Sequence, residues 1–324
     1  MLLFIVSIQQ IKIHSLNDLF RCIALSSLLE VSGWPKPGNV HRTNDFLDTR
    51  FEHFLAGAVA IQPVFYDFCI KIYQQPKKYT SFEFVKLGQL FYNASESMMN
   101  WQHGGNVILG HILILAPLVA AATVCIKENK KSYEDYKYYL NKIIEDATVD
   151  DTILLYKAIK LCNPGGLGHR IKYDVTAEES INELQQNNVD LKQIFDMSKD
   201  YDLISEEYSS GFKITLQIGL PYFRNTFEKY HDINIATVNT FLKLLSEYED
   251  TLIIRKSGKT AAMRVKKMAK KLLLIDGIAT EKGLTMVRQF DKDLQKEKGD
   301  LNPGTTADIL TGVIFCALLL GLKF

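Results

Sequence analysis

Val107-Ile108-Leu109-Gly110-His111-Ile112-Leu113-Ile114-Leu115-Ala116-Pro117-Leu118-Val119-Ala120-Ala121-Ala122-Thr123-Val124-Cys125-Ile126 is apolar over about the twenty residues that a membrane span requires. Only Gly110, His111, Pro117 and Thr123 interrupt it. The sequence on both sides is hydrophilic and amphipathic, and a chain of that kind uses such a run as a helix buried on every face. The segment therefore predicts the central helix of a folded core rather than a membrane anchor. Asp308 to Leu322 is a second, shorter apolar run that opens on a charge.

Outward from that run, the chain reads helix after helix. Thr49-x-x-Glu52, Thr80-x-x-Glu83 and Thr176-x-x-Glu179 each set a hydroxyl three residues before a glutamate, the spacing of a capping box. Apolar residues then recur at three and four, as in Phe51, Phe54, Leu55, Ala58 and Val59, or Phe241, Leu242, Leu244 and Leu245. Ile214 to Ile218 comes nearest to β-alternation, but helix-like sequence flanks it. The expectation is an all-α fold of roughly ten to twelve helices, one compact domain over residues 15–324 with the buried helix at its centre. Residues 1–14 read as an apolar N-terminal arm, and Met1 to Val6 lacks the basic start and small-residue cleavage site of a signal peptide. The polar stretch from Thr176 to Glu207 predicts an excursion from the core, although Leu184, Leu191, Ile194 and Phe195 can still pack.

Composition narrows the function classes. With 47% apolar and 23% charged residues, the chain is of globular type and not disordered. A net charge of +1 offers no argument for nucleic acid or a membrane surface as partner. Cys22, Cys69, Cys125, Cys162 and Cys316 are scattered without a C-x-x-C, which points to a reducing cytoplasm rather than a disulfide framework or zinc site.

The chemically interesting residues collect in loops. Pro35-Lys36-Pro37-Gly38-Asn39-Val40-His41-Arg42 cannot be helical throughout. It presents Lys36, His41 and Arg42, with Asp45, Asp48 and Glu52 behind them, a set suited to a phosphorylated, metal-bound ligand. His103-Gly104-Gly105-Asn106 opens the long apolar run, Asn163-Pro164-Gly165-Gly166-Leu167-Gly168-His169-Arg170 interrupts the middle, and Asn302-Pro303-Gly304-Thr305-Thr306-Ala307-Asp308 opens the last helix. At each, glycine and the free N–H groups of a helix start can admit a phosphate. A plain turn also accounts for each, and Thr305 with Asp308 has the spacing of an ordinary cap. Neither a Walker A loop nor a dinucleotide fingerprint is present. From Arg255 to Lys271 there are eight lysines and arginines and no acidic residue. Lys266 to Lys271 reads as a solvated face, whereas Asp250 and Arg255 fall on neighbouring faces of a helix, where both could meet a metal–phosphate ligand.

In order, P-K-P-G-N-V-H-R, the Gly105-Asn106 helix start, E-D-T-x-x-x-R and N-P-G-T-T-A-D resemble the motifs of the triphosphoribosyl-dephospho-CoA synthase family, over roughly Ala24 to Leu320. The resemblance implies an all-helical cytoplasmic pentosyltransferase that joins ATP to 3′-dephospho-CoA through the ribose and releases adenine, with Mg²⁺ accompanying ATP. The positions that match are Lys36, Pro37, Gly38, Asp48, Gly105, Asn106, Asp250, Thr251, Arg255, Pro303, Gly304, Ala307 and Asp308. Some positions depart. Where the family usually reads G-x-N-T-H-K-G, this chain has Val107, Ile108 and Leu109 in place of Thr-His-Lys. It also lacks the asparagine and double glycine of D-T-N-x-x-x-R-G-G, having Leu252 and Lys256-Ser257 there.

Breaking a purine–ribose bond passes through an oxocarbenium-like transition state that nearby carboxylates stabilise. Asp48, Asp250 and Asp308 are the candidates for that role and for metal contact. Lys36, Arg42 and Arg255 are candidates for the phosphates, and Asn106 for positioning the ligand. Gly38, His41, Gly105, Thr251, Gly304 and Thr305 complete the expected substrate-binding set. His41 and His103 are candidates to move protons. The expected partners are small-molecule nucleotides. Two other readings stay open at this point: a diverged enzyme acting on another phosphorylated nucleotide, and a non-catalytic nucleotide-binding or scaffold protein.

Overall fold

Two helices with almost no polar surface organise the molecule. The computed structural model describes residues 10–76 and 80–324. In chain order they form α1 (Leu16–Ser32), α2 (Phe51–Ala60), α3 (Gln62–Gln74), α4 (Leu87–Trp101), α5 (Leu109–Lys127), α6 (Tyr133–Glu145), α7 (Val149–Cys162) and α8 (Ser180–Gln186). There follow α9 (Leu191–Ser198), α10 (Leu203–Ser210), α11 (Leu220–Tyr230), α12 (Ile233–Glu247), α13 (Thr251–Ser257), α14 (Lys259–Leu273), α15 (Glu281–Gln295) and α16 (Gly304–Leu319). No strand occurs among the described residues, so the all-α expectation holds.

The apolar run is α5, long and apolar enough to cross a bilayer, yet 94% of its most apolar window is buried inside the protein. It packs against α16, α6, α3, α4 and α1, and α16 in turn packs against α1, α11 and α12. Gly312 on α16 lets the two central helices approach, because a β-carbon there would press on Ile114 and Leu118. Pro117 lies inside α5 and has no N–H to give the carbonyl of Leu113. The buried Tyr208 hydroxyl donates to that carbonyl at 2.6 Å, so the proline leaves no buried acceptor unpaired.

The helix starts are set by side chains other than those expected. Ser15, Ser132, Asp190, Asp202, Asp232 and Thr280 cap α1, α6, α9, α10, α12 and α15, and Thr148 with Asp151 forms a capping box on α7. The three predicted boxes do not form. Thr49 donates its hydroxyl to the Gly104 carbonyl and Thr176 to Asp174, while Glu83 belongs to a short 3₁₀ turn. In the first two, a nearby stronger acceptor took the hydroxyl that the spacing had assigned to a helix N–H.

The polar excursion is real in sequence but folds into α8, α9 and α10, with Leu184, Leu191, Ile194 and Phe195 buried. These short helices, together with α13, carry the total past the ten to twelve expected. Ile214 to Ile218 lies in a π-helical turn, Ile214–Gly219. Residues 1–9 of the predicted N-terminal arm lie outside the described residues. From there the chain is tied to the core: Ile11 N donates to the Lys131 carbonyl at 2.8 Å, and Lys12 N donates to that of Leu319 at 3.0 Å.

Candidate functional site

At one end of the bundle the last turn of α1 meets the first turns of α5, α13 and α16. Three charged or polar groups from separate helices, and a fourth from the loop after α1, gather there. Glu30 of α1 receives the ammonium of Lys36 on one carboxylate oxygen, and its other oxygen lies 3.3 Å from His111 Nε2 of α5. The same nitrogen lies 3.7 Å from Asp308 Oδ1 of α16. The Lys36 and Glu30 side chains are 0% and 1% exposed and His111 is 2% exposed, whereas the Asp308 side chain keeps 21% of its surface open. Lys36, Glu30, His111 and Asp308 thus form a chain that runs from the core to the floor of a cleft. Gly110 makes room for its end, since a β-carbon there would collide with the Asp308 carboxyl.

A second layer of bonds laces the helix starts together. Asp250 caps α13 through Leu252 N and Ile253 N, at 2.9 and 3.1 Å. Its other oxygen accepts from Thr306 N and Thr306 Oγ1 at 2.7 and 2.8 Å, so α16 takes its cap from another helix. The expected cap role of Thr305 is therefore filled by Asp250. Thr305 Oγ1 instead accepts from Thr251 Oγ1 at 3.2 Å. Asp202, the cap of α10, holds Arg255 Nη1 at 3.2 Å.

Above this floor lies a cleft of about 1370 Å³. Asp48, Gly105, Asn106, Arg255, Gly304, Thr305 and Asp308 line it, so three of the sequence motifs converge there, joined by Asp48 from beyond the first. Asn106 Oδ1 accepts from Leu109 N at 3.1 Å, which fixes the side chain at the start of α5. Asp250 and Thr251 stand behind the wall, fully engaged with their neighbours. The first motif is split. Lys36 reaches the floor only through Glu30. Gly38 and His41 bind Asp291 of α15, at 3.0 Å from the Gly38 amide and 3.1 Å from His41 Nε2. Arg42 binds the Ser32 carbonyl and Asn234, while His103 is an exposed residue off the cleft wall. Val107, Ile108 and Leu109, which stand where Thr-His-Lys was expected, are buried apolar residues.

Burial pushes the Asp308 carboxyl well above the usual range, and the charges of Glu30 and Asp250 push it further. Burial acts on Glu30 in the same sense, but Lys36 and His111 outweigh it and hold that carboxyl low. Burial lowers the Lys36 ammonium against the pull of Glu30. Burial also raises Asp250, opposed by its bonds to Thr306. The pair Lys36–Glu30 is an ion pair with its charges matched, and the acidic surplus falls on Asp308, Asp250 and Asp202 against Arg255.

Glu30, His111 and Asp202 were absent from the residues expected at the site. The first two left a signal. Glu30 continues the buried stripe Leu19, Ile23 and Ser26 at spacings of three and four, where a charge is out of place unless it is paired. His111 is the one basic side chain inside the apolar run.

A family profile described as ATP:dephospho-CoA triphosphoribosyl transferase matches residues 16–323. The chain is 33% identical over 104 residues to 2-(5''-triphosphoribosyl)-3'-dephosphocoenzyme-A synthase of Klebsiella pneumoniae, covering 32% of this chain and 34% of that one. It is 30% identical over 104 residues to the protein of the same name from Escherichia fergusonii, with the same coverage. These alignments span about a third of the length of the curated relatives. A crystal structure from Archaeoglobus fulgidus, described as a "putative triphosphoribosyl-dephospho-coA synthase", superimposes with a TM-score of 0.62 at 24% identity. It covers 85% of this chain and 100% of that one, which shows a shared fold.

Proposed function

Because this chain belongs to the ATP:dephospho-CoA triphosphoribosyl transferase family, we propose that it transfers the triphosphoribosyl group of ATP to the ribose of 3′-dephospho-CoA, releasing adenine. The observation that carries the proposal is the convergence of motif residues from distant segments, Asn106, Arg255, Gly304 and Asp308, on one cleft. Its volume of about 1370 Å³ exceeds the roughly 300–1,000 Å³ of a site for one small molecule. Room for two nucleotides at once is what a direct transfer between them requires.

In this reaction the bond between ribose C1′ and adenine N9 breaks and a bond from C1′ to the acceptor hydroxyl oxygen forms. The hydroxyl gives up its proton and adenine leaves carrying one, so the proton count balances. The ribose carries positive charge at the transition state, and Asp308 on the cleft floor, whose ionised form that nearby charge favours, stabilises it electrostatically. The positive ends of α5 and α16, with Arg255, face the triphosphate. Tyr201, with the Arg170 guanidinium 3.7 Å from its ring centroid, offers a flat surface on the cleft wall for a base.

The described residues contain no group of three or more His, Cys, Asp or Glu side chains that could hold a metal alone. Asp250, proposed from sequence as a ligand, has both oxygens filled by four donors. The residues do fit a Mg²⁺ that arrives on the triphosphate, because such an ion needs only one or two protein carboxylates. Asp308 would hold it, and the repulsion that Glu30 and Asp250 exert on that carboxyl is what a cation would relieve. When bound, the ion neutralises charge on the triphosphate. The cytoplasm, where ATP and reduced cysteines coexist, is the proposed location.

Incubation with ATP, Mg²⁺ and dephospho-CoA, followed by mass analysis, tests the proposal. The expected products are free adenine and dephospho-CoA heavier by a triphosphoribosyl group. Turnover of ATP to anything else, or no turnover, contradicts it.

A further inference from the structure

Lys36 is a cation of the first motif, yet its ammonium does not line the cleft. Its side chain is 0% exposed, and Nζ is committed to the Glu30 carbonyl, at 2.9 Å, and to Glu30 Oε1. A residue so enclosed cannot meet a phosphate without leaving Glu30 as a buried, unpaired charge. What Lys36 does reach, through Glu30, is His111. Glu30 Oε2 lies 3.3 Å from His111 Nε2. With Glu30 ionised, that contact is attractive only if Nε2 carries the ring proton. In the neutral ring Nδ1 is then a bare acceptor. It is buried, meets no protein partner among the described residues, and belongs to a side chain on the cleft wall. A buried lone pair of this kind is destabilising until something donates to it.

We propose that Lys36 and Glu30 are positioning residues that hold His111 in its Nε2–H tautomer, so that Nδ1 accepts a hydrogen bond from the ribose hydroxyl of the acceptor nucleotide. Fixing one ring nitrogen of a histidine on a carboxylate is how its other nitrogen is given a defined role and direction. The lysine supplies the counter-charge that lets a glutamate serve as that anchor in a water-free interior. The identity of the donor rests on the transferase reading. The tautomer and its cause do not.

Two readouts separate the possibilities. The first is ¹⁵N NMR of the histidine side chains in the full chain, which has seven histidines, with His111 assigned by its loss in His111→Gln. His111 should show a protonated Nε2 and a bare Nδ1 in the wild type, and dephospho-CoA should shift the Nδ1 signal. The second is kinetics of the double variant Lys36→Met/Glu30→Met, which removes both charges together and avoids an unpaired one. Its tautomer preference should be lost. Its kcat for adenine release should fall about 10- to 100-fold, with the KM for ATP changed by no more than about threefold. Lys36→Met alone should lower kcat in the same way.

An ATP KM raised about tenfold or more with kcat kept would make Lys36 a phosphate ligand and overturn the inference. So would an Nδ1–H tautomer in the wild type, or wild-type kinetics in a folded double variant, which would leave the pair purely structural. Wild-type protein that keeps the tautomer but releases no adenine contradicts the transferase reading alone.

Discussion

Glu30 and Glu207 are both glutamates closed off in the helical interior, and the molecule treats them in opposite ways. Glu207 accepts bonds from Ile214 N, Thr215 N and Thr215 Oγ1, at 3.0, 2.7 and 2.5 Å, all from the π-helical turn that follows it. It is answered by dipoles from its own neighbourhood, and burial pushes its carboxyl up to about 7. Glu30 is answered by an ammonium and an imidazole from other segments, which hold its carboxyl low. A carboxylate closed by local backbone donors pins a turn. A carboxylate wired to a lysine behind it and a cleft in front of it carries charge to where a ligand binds. The same residue type in the same degree of burial thus serves shape in one place and chemistry in the other.

The comparison breaks most visibly at the end of the Glu30 chain. Asp308→Asn should reduce the rate of adenine release about 10²- to 10³-fold, the cost typical of losing one transition-state electrostatic contact. Its melting temperature should hold or rise, because the change removes a carboxyl repelled by Glu30 and Asp250. Equal losses of activity and stability would make Asp308 another structural pin like Glu207.

Gly110→Ala should come next. It leaves every charged group in place but drives the Asp308 carboxyl aside, and a displacement of about 1 Å can cost about 100-fold in rate. Steady-state kinetics on a variant with a native circular-dichroism spectrum checks this.

Glu207→Ala should behave in the reverse sense. Three donors in the π-helical turn lose their partner, which should cost about 1–3 kcal/mol of stability in denaturant unfolding. Activity per folded molecule should stay unchanged.

The smallest effect is a pH dependence. Burial pushes the folded Glu207 carboxyl up to about 7 from its ordinary 4.5, so the native state binds that proton more tightly than the unfolded chain. Its favourable contribution is complete below about 4.5 and is lost as the pH rises through about 7. Asp308 and Asp250 are raised too and act with the same sign. The test is therefore the difference between two proteins: Glu207→Gln should lose less melting temperature than the wild type between pH 5 and pH 8.

Much of this arrangement could be read along the chain. The apolar run predicted α5 because burial on every face leaves a mark at each position. The glycine- and proline-rich loops placed Asn106, Gly304 and Asp308 at helix starts, and these do face one cleft. The readings that failed share a cause. Thr49 and Thr176 had cap spacing, but the partner that a hydroxyl selects depends on what the fold brings beside it. Lys36 had the right chemistry for a phosphate. The partner that enclosed it, Glu30, lies six residues away at the end of a helix whose buried face is visible only as a stripe. The role of His111 was hidden because its partners lie on other helices, and Asp202 by a polar stretch that resembled a loop more than α9 and α10. Single-chain patterns report periodicity well and pairings between helices poorly.

The central claim is that one cleft holds both nucleotides together. Native mass spectrometry of the protein with Mg²⁺, dephospho-CoA and an ATP analogue whose base is joined to ribose through carbon tests it directly, because that bond cannot be cleaved. A complex carrying both nucleotides on one chain, lost in Asp308→Asn/Arg255→Ala, is the predicted result. Binding of either nucleotide only at the expense of the other would contradict the account.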